Sequence, residues 1–179
     1  FYTFGMVVGI VTLASGILFA TSQRDIKMLL AFSTTAHTGY ILIGVVAGGI
    51  AHTAGLLYIA HHALFKSLLF LTVGAAVSHT GERNLNRIGG LGSRMPVVAA
   101  AFFAGALSIS GIPPFNGYAS KAFITLGMKG TDAYPLLWIT SFLTIASFIK
   151  LGRIFLPSPD GSIAAHGYGP LPGFLEKSV

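Results

Sequence analysis

The sequence predicts an all-α, polytopic membrane protein with about five transmembrane spans. Hydrophobic residues make up 53% of the 179 residues and charged residues only 9%, whereas soluble domains carry about 25% charged residues. The apolar residues form long runs, and the basic residues lie in the short links between them. Because these basic residues do not cluster, the net charge of +6 indicates a membrane protein and not a nucleic-acid-binding one.

Five apolar segments reach, or nearly reach, the length of about 20 residues that a spanning helix needs. A tail rich in proline and glycine follows the last of them and predicts a loop, not another span. The sequence therefore predicts a transmembrane helical region over residues 1–157 and a tail over 158–179. The five segments are residues 4–20, 26–50, 52–77, 96–128 and 134–155.

The fourth segment is too long for one straight span, and it contains the string SGIPPFNG. Gly111, Pro113, Pro114 and Gly117 interrupt the backbone hydrogen-bond ladder there. We predict two half-helices joined inside the membrane at Pro113–Pro114. The alternative is one helix that ends near Gly111, followed by a re-entrant piece.

The link charges predict the orientation of the chain. Basic residues are abundant in the links after the first and third segments and after the fifth, and the opposite side has only Lys129. By the positive-inside rule the first group is cytoplasmic, so the chain starts outside and its tail lies inside. The first group is Arg24, Lys27, Arg83, Arg87, Arg94, Arg153 and Lys177.

Lys66 stands near the middle of the third segment, which contains no acidic residue. A lysine at the bilayer centre costs about 2.5–3.5 kcal/mol on insertion scales, which makes it a candidate functional residue. Tyr58 and His62 precede it at intervals of four residues, so the three share one helix face, while His61 points about 100° away. We predict that His62 and Lys66 relay protons. The alternative is a lysine that extends to an interface, with His62 as packing.

Lys121 follows the predicted break by a few residues. The partial positive charge of a helix N-terminus disfavours an ammonium group, whereas the free carbonyls of the preceding half-helix favour it. A lysine in this position is a candidate for binding and releasing a proton. The alternative is a lysine near the outer interface.

His37 and Lys150 are further candidates for proton translocation. His37 lies in the middle of the second segment, within four residues of one serine and three threonines. It either extends a polar path or forms a hydrogen bond with a neighbouring helix. Lys150 lies near the end of the fifth segment and either joins the path or extends to the interface.

The sequence predicts no metal or cofactor site in this chain. It contains no cysteine, which excludes thiolate metal sites and iron–sulfur clusters. Nothing in it resembles a phosphate loop, a dinucleotide fingerprint or a set of metal ligands.

Three strings, in order, resemble the antiporter-like subunits of respiratory complex I. They are QRDIKMLLAFSTTAHTGYILIG, HHALFKSLLFL and ALSISGIPPFNGYASK. The same type of subunit occurs in multisubunit Mrp cation/proton antiporters and in energy-converting hydrogenases. The resemblance extends from Gly5 to about Leu156.

The resemblance implies a fourteen-helix fold with two inverted five-helix repeats, each containing one broken helix. This chain would be the second repeat. The family's input glutamate and lysine would then lie before Phe1, and the final helix of the fold would also be absent. His62 and Lys66 match the central histidine and lysine of the family's proton axis, and Lys121 matches the ionisable residue of the second broken helix.

We therefore expect a membrane subunit that translocates protons, or Na⁺, within a redox-driven NADH-quinone oxidoreductase-like or hydrogenase-like complex. Its partners would be other membrane subunits and the lipid bilayer, in a prokaryotic cytoplasmic membrane. NADH, FMN, Fe–S clusters or quinone would belong to partner subunits, because this chain shows no redox site. The alternatives are an Mrp-type antiporter subunit without a redox partner, a structural subunit that conducts nothing, and a solute carrier.

Overall fold

The computed structural model describes residues 1–157, and these residues form a bundle of six α-helices. Two short 3₁₀ helices, Leu85–Arg87 and Leu91–Ser93, lie in the link between the third and fourth helices. The tail predicted for residues 158–179 lies outside the described residues. The helices are α1 (Tyr2–Ser22), α2 (Ile26–Ala47), α3 (Gly49–Thr80), α4 (Pro96–Ser110), α5 (Asn116–Gly127) and α6 (Ala133–Gly152).

The bundle places apolar side chains outside and many of its polar side chains inside. Leu71 is 72% exposed and Leu64 65% exposed, whereas His37 and Thr144 are fully buried. In water such a surface would be a large apolar patch, whereas the apolar interior of a bilayer accommodates it. Four of the helices, α1, α2, α3 and α6, are long and apolar enough to cross a membrane. The fold class is therefore that of a polytopic helical membrane protein, as the sequence predicts.

The turn between α2 and α3 lies earlier than the apolar runs predict. Gly48, with φ of 80°, ends α2 and precedes α3, so α2 ends at Ala47 and not at residue 50. α3 then extends three residues beyond each predicted end and contains 32 residues. At 1.5 Å per residue it is ~48 Å long, so it extends beyond the hydrocarbon core or tilts within it.

Small residues let α1 and α2 pack closely. A Cβ on Gly39 of α2 would overlap the backbone nitrogen of Leu13, and one on Gly16 of α1 would overlap the backbone of Ala36. Close approach of backbones through small residues is a usual source of helix association in membranes. This contact fixes α2, which carries several candidate site residues, against α1.

One end of the bundle gathers the links that carry most of the basic residues; we call it the basic end. The amide of Ile26 donates to the carbonyl of Arg83 at 3.0 Å, and the amide of Gly90 donates to the carbonyl of Leu156 at 2.9 Å. These contacts join the links before α2 and after α3 and α6. Lys129, between α5 and α6, lies at the opposite end. The arrangement agrees with the alternation of spans that the link charges predict.

The fourth crossing consists of two half-helices, α4 and α5. At the end of α4 the amides of Gly111 and Ile112 donate to the carbonyls of Ser108 and Leu107, both at 3.1 Å, a Schellman motif with Gly111 in the left-handed region at φ 73°. α5 begins at Asn116 and continues to the end opposite the basic end, where Gly127 packs against Ala51 of α3. The predicted break is confirmed.

Candidate functional site

Lys66 lies in the middle of α3 and is held by α2. Only 6% of its surface is exposed. Its ammonium donates hydrogen bonds to the carbonyl oxygen of Leu30 at 3.0 Å and to the hydroxyl oxygen of Ser33 at 2.5 Å. The amine therefore stays inside the bundle and does not extend to either end of α3. Among the described residues it forms no hydrogen bond with His62, so any exchange between the two is indirect.

His37 and Tyr58 join α2 to α3 in the interior of the bundle. Both are fully buried, and the Tyr58 hydroxyl and His37 Nδ1 share a hydrogen bond of 2.8 Å. The ring of His62 lies 5.8 Å from that of His37. Within residues 1–157, the Nε2 atoms of His37 and His62 have no hydrogen-bond partner. The structure thus places the two histidines in one cluster, with a free ring nitrogen on each.

Lys121 lies in the second turn of α5, directly over the helix break. The aliphatic part of the Lys121 side chain packs on Gly111. A Cβ added to Gly111 would lie 2.9 Å from Cδ of Lys121. Its ammonium lies 5.5 Å from the centre of the Tyr40 ring, within cation–π range. In the described part of the chain this ammonium donates no hydrogen bond, although only 5% of Lys121 is exposed. It is a buried cation without a bonded partner, which is costly unless the charge is lost or exchanged.

Contacts link Lys121 to the histidine side of the site. Its ammonium lies over the ring of Tyr40, that ring lies 5.8 Å from the Tyr58 ring, and Tyr58 bonds His37. No carboxylate of the described residues contacts these groups, since the ion pair found there is Arg87–Glu82 in the link at the basic end. The described ionisable groups of this site therefore include no carboxylate.

A cavity of about 390 Å³ adjoins Lys121. It runs from the break, at Ser110 and Gly111, to Lys129 and Tyr134 at the end opposite the basic end. The cavity thus reaches from the level of the helix break to a bundle end. Lys121 lines this cavity, and Lys66 does not.

Lys150 lies apart from this cluster. Its ammonium donates to the carbonyl oxygens of Thr21 at 3.0 Å and Gln23 at 2.6 Å. These carbonyls close the C-terminal end of α1, where a cation is favourable. The geometry favours the interfacial alternative for Lys150, and its role in translocation stays a prediction.

Sequence reasoning did not identify two of the polar contacts around the site. Tyr40 shares a 2.7 Å hydrogen bond with Thr125, and His61 Nδ1 shares one of 2.8 Å with the buried hydroxyl of Ser120. Tyr40 follows His37 by three residues and so lies on the same face of α2; that spacing was the available signal. Nothing in the sequence pairs His61 with Ser120, because their contact depends on how α5 packs on α3.

The fold and the site together define a class: a helical membrane protein with buried ionisable side chains connected across its helices and opening to one end. The match to a family model is more specific. The model for the transmembrane part of NADH:quinone oxidoreductase and Mrp antiporter subunits matches residues 1–149. The chain belongs to this family.

Named relatives come from several kinds of complex. The chain is 35% identical to hydrogenase-4 component B of Escherichia coli over 89% of this chain and 28% of that protein. It is 37% identical to NADH-quinone oxidoreductase subunit N of Desulforudis audaxviator over 77% of this chain and 29% of that protein. A chain in the structure of the Mrp complex from Dietzia matches with a TM-score of 0.84 and 36% identity, over 94% of this chain and 34% of that one.

The chain thus spans about a third of the length of these proteins. The resemblance stated above is confirmed at the level of the family. The three matches lie in different branches of it and do not distinguish among them.

Proposed function

We propose that this chain forms the proton-conducting region of a membrane subunit that translocates protons within a multisubunit complex. The observation that supports the proposal most directly is that Lys66, His37, Tyr58 and Lys121 are buried, with the half-buried His62 beside His37, in a bundle whose surface is apolar. Burying two lysines without a carboxylate costs stability. Proton exchange gives a reason for that cost, because each base carries its charge only while it holds the proton.

The same residues favour a proton over Na⁺ as the ion that passes through this region. None of α1–α6 contains an aspartate or a glutamate. A sodium ion prefers oxygen ligands and would meet two ammonium groups here, which repel it. A proton needs only the bases that are present.

The proposed direction of transfer follows from the cavity. Lys66, on the side of the cluster nearer the basic end, hands its proton to the histidines, and Lys121 releases it into the cavity that ends at Lys129 and Tyr134. By the positive-inside rule this release is to the outside of a prokaryotic cytoplasmic membrane, and the tail is cytoplasmic.

A redox-driven complex is the proposed setting, supported by the oxidoreductase and hydrogenase relatives. The redox groups, such as NADH, FMN, Fe–S clusters or quinone, are then held by partner subunits. The specific observation that favours the alternative setting is the match to the Mrp complex structure. In that setting a sodium gradient across other parts of the complex replaces the electron donor.

The test uses the complete native complex in inverted membrane vesicles, with a dye that reports the pH gradient. Lys66→Ala and Lys121→Ala are each expected to reduce proton transport to less than about a tenth, since positioned proton-transfer groups contribute on the order of a hundredfold or more. Lys27→Ala, which removes an exposed lysine at the start of α2, is the control and is expected to leave transport unchanged.

The energy source that drives transport distinguishes the redox-driven complex from the antiporter. Acidification that depends on an electron donor supports the redox-driven complex, and exchange started by adding NaCl without a donor supports the antiporter. Near-normal transport in both lysine variants, with either driver, contradicts the proposal. It supports the alternative of a structural subunit that conducts nothing.

A further inference from the structure

His61 and Ser120 form a polar contact between α3 and the second half-helix, α5. Nδ1 of His61 shares a hydrogen bond of 2.8 Å with the hydroxyl of Ser120. Ser120 is fully buried and His61 is half-buried. Each of them directly precedes a residue of the site, because His62 follows His61 and Lys121 follows Ser120. The contact therefore joins the two helices at the level of the site.

The hydroxyl of Ser120 is used differently from those of the serines in α6. Ser141 and Ser147 donate to carbonyl oxygens of their own helix, at 3.0 and 2.8 Å, which is a common bond for a serine inside a helix. Within residues 1–157, Ser120 forms no bond of that kind, and its hydroxyl bonds His61 on another helix. A bond within one helix does not restrict neighbouring helices, whereas a bond between two helices limits how they rotate and slide.

Two glycines of α5 also face α3. A Cβ on Gly117 would lie 3.5 Å from the ring of Phe65, and one on Gly127 would lie 2.8 Å from the Cβ of Ala51. Ser120 lies between these glycines and on the same face of α5, three residues after the first and seven before the second. Small residues allow the helices to approach closely but give the contact no direction. The hydrogen bond is directional and selects one register of α5 on α3.

The rotation of α5 decides where Lys121 points. Successive residues of a helix differ by about 100° around its axis. With Ser120 against α3, Lys121 is directed to α2, where its ammonium lies 5.5 Å from the centroid of the Tyr40 ring. With His61 against α5, His62 is directed to α2 as well, and its ring lies 5.8 Å from a histidine ring of that helix. One bond thus orients both neighbouring site residues.

We propose that His61 is a positioning residue: its hydrogen bond with Ser120 fixes the rotation of α5 and thereby holds Lys121 between Tyr40 and the cavity. This inference rests on the function proposed above. Lys121 keeps the task of exchanging the proton, and His61 acts only through the bond made by its Nδ1 atom. The sequence places His61 off the face that carries the other site residues of α3, so the proposal gives this histidine a separate task.

Two substitutions of His61 separate positioning from proton transfer by its imidazole ring. His61→Leu removes the hydrogen bond and keeps an apolar side chain. His61→Asn keeps a short side chain that both donates and accepts hydrogen bonds, so it replaces Nδ1 as the partner of Ser120, but its amide does not carry protons. Ser120→Ala removes the same bond from the side of α5.

The matched controls remove comparable groups outside the site. His52→Leu removes a histidine whose Nδ1 shares a hydrogen bond of 2.6 Å with the carbonyl of Val45, near the turn between α2 and α3. Ser147→Ala removes a buried hydroxyl that bonds only within α6. Both controls are expected to leave the transport rate per assembled complex unchanged.

Proton transport is measured with the complete native complex in inverted membrane vesicles and is divided by the amount of assembled complex. His61→Leu and Ser120→Ala are each expected to lower this rate by about tenfold, because misplacing a reacting group by about 1 Å can cost on the order of a hundredfold. The double variant is expected to be no slower than the slower single variant, since both remove the same bond. His61→Asn is expected to transport at close to the wild-type rate.

Three results overturn the positioning role. The first is a wild-type rate per complex in His61→Leu and Ser120→Ala while Lys121→Ala remains slow. The second is a His61→Asn variant as slow as His61→Leu, which would show that the imidazole ring itself is needed. The third is a lower amount of assembled complex with a normal rate per complex, which is the result of a purely structural contact.

The outcomes also separate this inference from the function on which it rests. Wild-type rates in Lys121→Ala and Lys66→Ala overturn the proposed function and this inference with it. If His61→Leu does not assemble, Ser120→Ala decides: a tenfold lower rate per complex supports the positioning role, and a normal rate overturns it.

Discussion

The two buried lysines differ in how the bundle holds them. Lys66 and Lys121 are almost equally buried, at 6% and 5% exposure. The Lys66 ammonium has two hydrogen-bond acceptors on α2, Leu30 and Ser33. The Lys121 ammonium has no such acceptor in the described structure and lies over the ring of Tyr40, beside a cavity.

This difference indicates different tasks for the two lysines. Oxygen acceptors fix the position of the Lys66 amine and stabilise its charge inside the bundle. Lys121 has no fixed acceptor, so its charge depends more on what enters the cavity. We infer that Lys66 holds a proton inside the bundle and that Lys121 exchanges one with the outside.

The largest effect is expected from replacing either lysine with arginine. Arginine keeps the positive charge but does not release its proton in proteins. Lys66→Arg and Lys121→Arg are therefore both expected to reduce proton transport by about a hundredfold, measured in vesicles of the complete complex. If either arginine variant transports normally, that lysine acts as a fixed charge and not as a proton carrier.

The arginine pair also tests the space around each lysine. Lys66 is enclosed by α2 and α3, whereas Lys121 adjoins a cavity of about 390 Å³. We expect Lys66→Arg to lower the amount of assembled complex and Lys121→Arg to leave it near normal, as measured by native gel electrophoresis. The reverse order would contradict the described difference in packing.

The second effect concerns the acceptors of Lys66. Ser33→Ala removes one of the two hydrogen bonds, which costs about 1–3 kcal/mol when the donor stays buried. Transport is expected to fall several-fold, with its pH profile displaced, because the charged amine loses a partner. Ser22→Ala, an exposed serine that bonds only within α1, is the control. An unchanged pH profile would mean that the Ser33 bond does not act on the charge of Lys66.

A smaller effect is expected at the start of α2, the helix that holds Lys66. The Asp25 carboxylate caps this helix by accepting from the amides of Lys27 and Met28, at 2.8 and 3.0 Å. Asp25→Ala is expected to reduce stability by about 0.5–2 kcal/mol, measured by thermal unfolding in detergent. Asp132→Ala is the control, because Asp132 precedes α6 without a capping bond. Equal losses would show that the Asp25 cap contributes nothing specific.

The smallest effect is expected from acidification at the basic end. The amides of Asn84 and Arg83 donate to the Glu82 carboxylate and hold the pKa of that carboxyl below its usual range. A lowered folded-state pKa means that the stabilisation is present at neutral pH and is lost as pH falls through that lowered value. The melting temperature is expected to drop slightly over this range, and Glu82→Gln should remove that part of the drop. An identical pH dependence in the variant would contradict the assignment of this part of the drop to Glu82.

Much of the fold follows from the sequence, because a bilayer imposes simple rules. Run length predicts the crossings, and Pro113–Pro114 predicts the break, since neither proline continues a helix. The apolar runs predict the turn after residue 50, later than Gly48, because glycine is nearly neutral in hydropathy and does not interrupt an apolar run. Only the backbone shows that Gly48 has a positive φ.

The site was predictable along each helix but not between helices. Four-residue spacing places Tyr58, His62 and Lys66 on one face of α3. The acceptors of Lys66 and the contact between Tyr40 and Thr125 depend on how α2 rotates against α3 and α5. No pattern within one helix specifies that rotation, so these partners came from the structure.

Selective labelling of cysteines tests the central claim most directly. The chain contains no cysteine, so single cysteines report individual positions. In the complete complex, Thr125→Cys beside Lys121 and Ser33→Cys beside Lys66 are treated with a membrane-impermeant thiol reagent on the side of Lys129. We predict that position 125 reacts and position 33 does not. Equal reaction at both positions, or no reaction at position 125, would contradict the claim that Lys121 exchanges protons with the cavity while Lys66 is closed off.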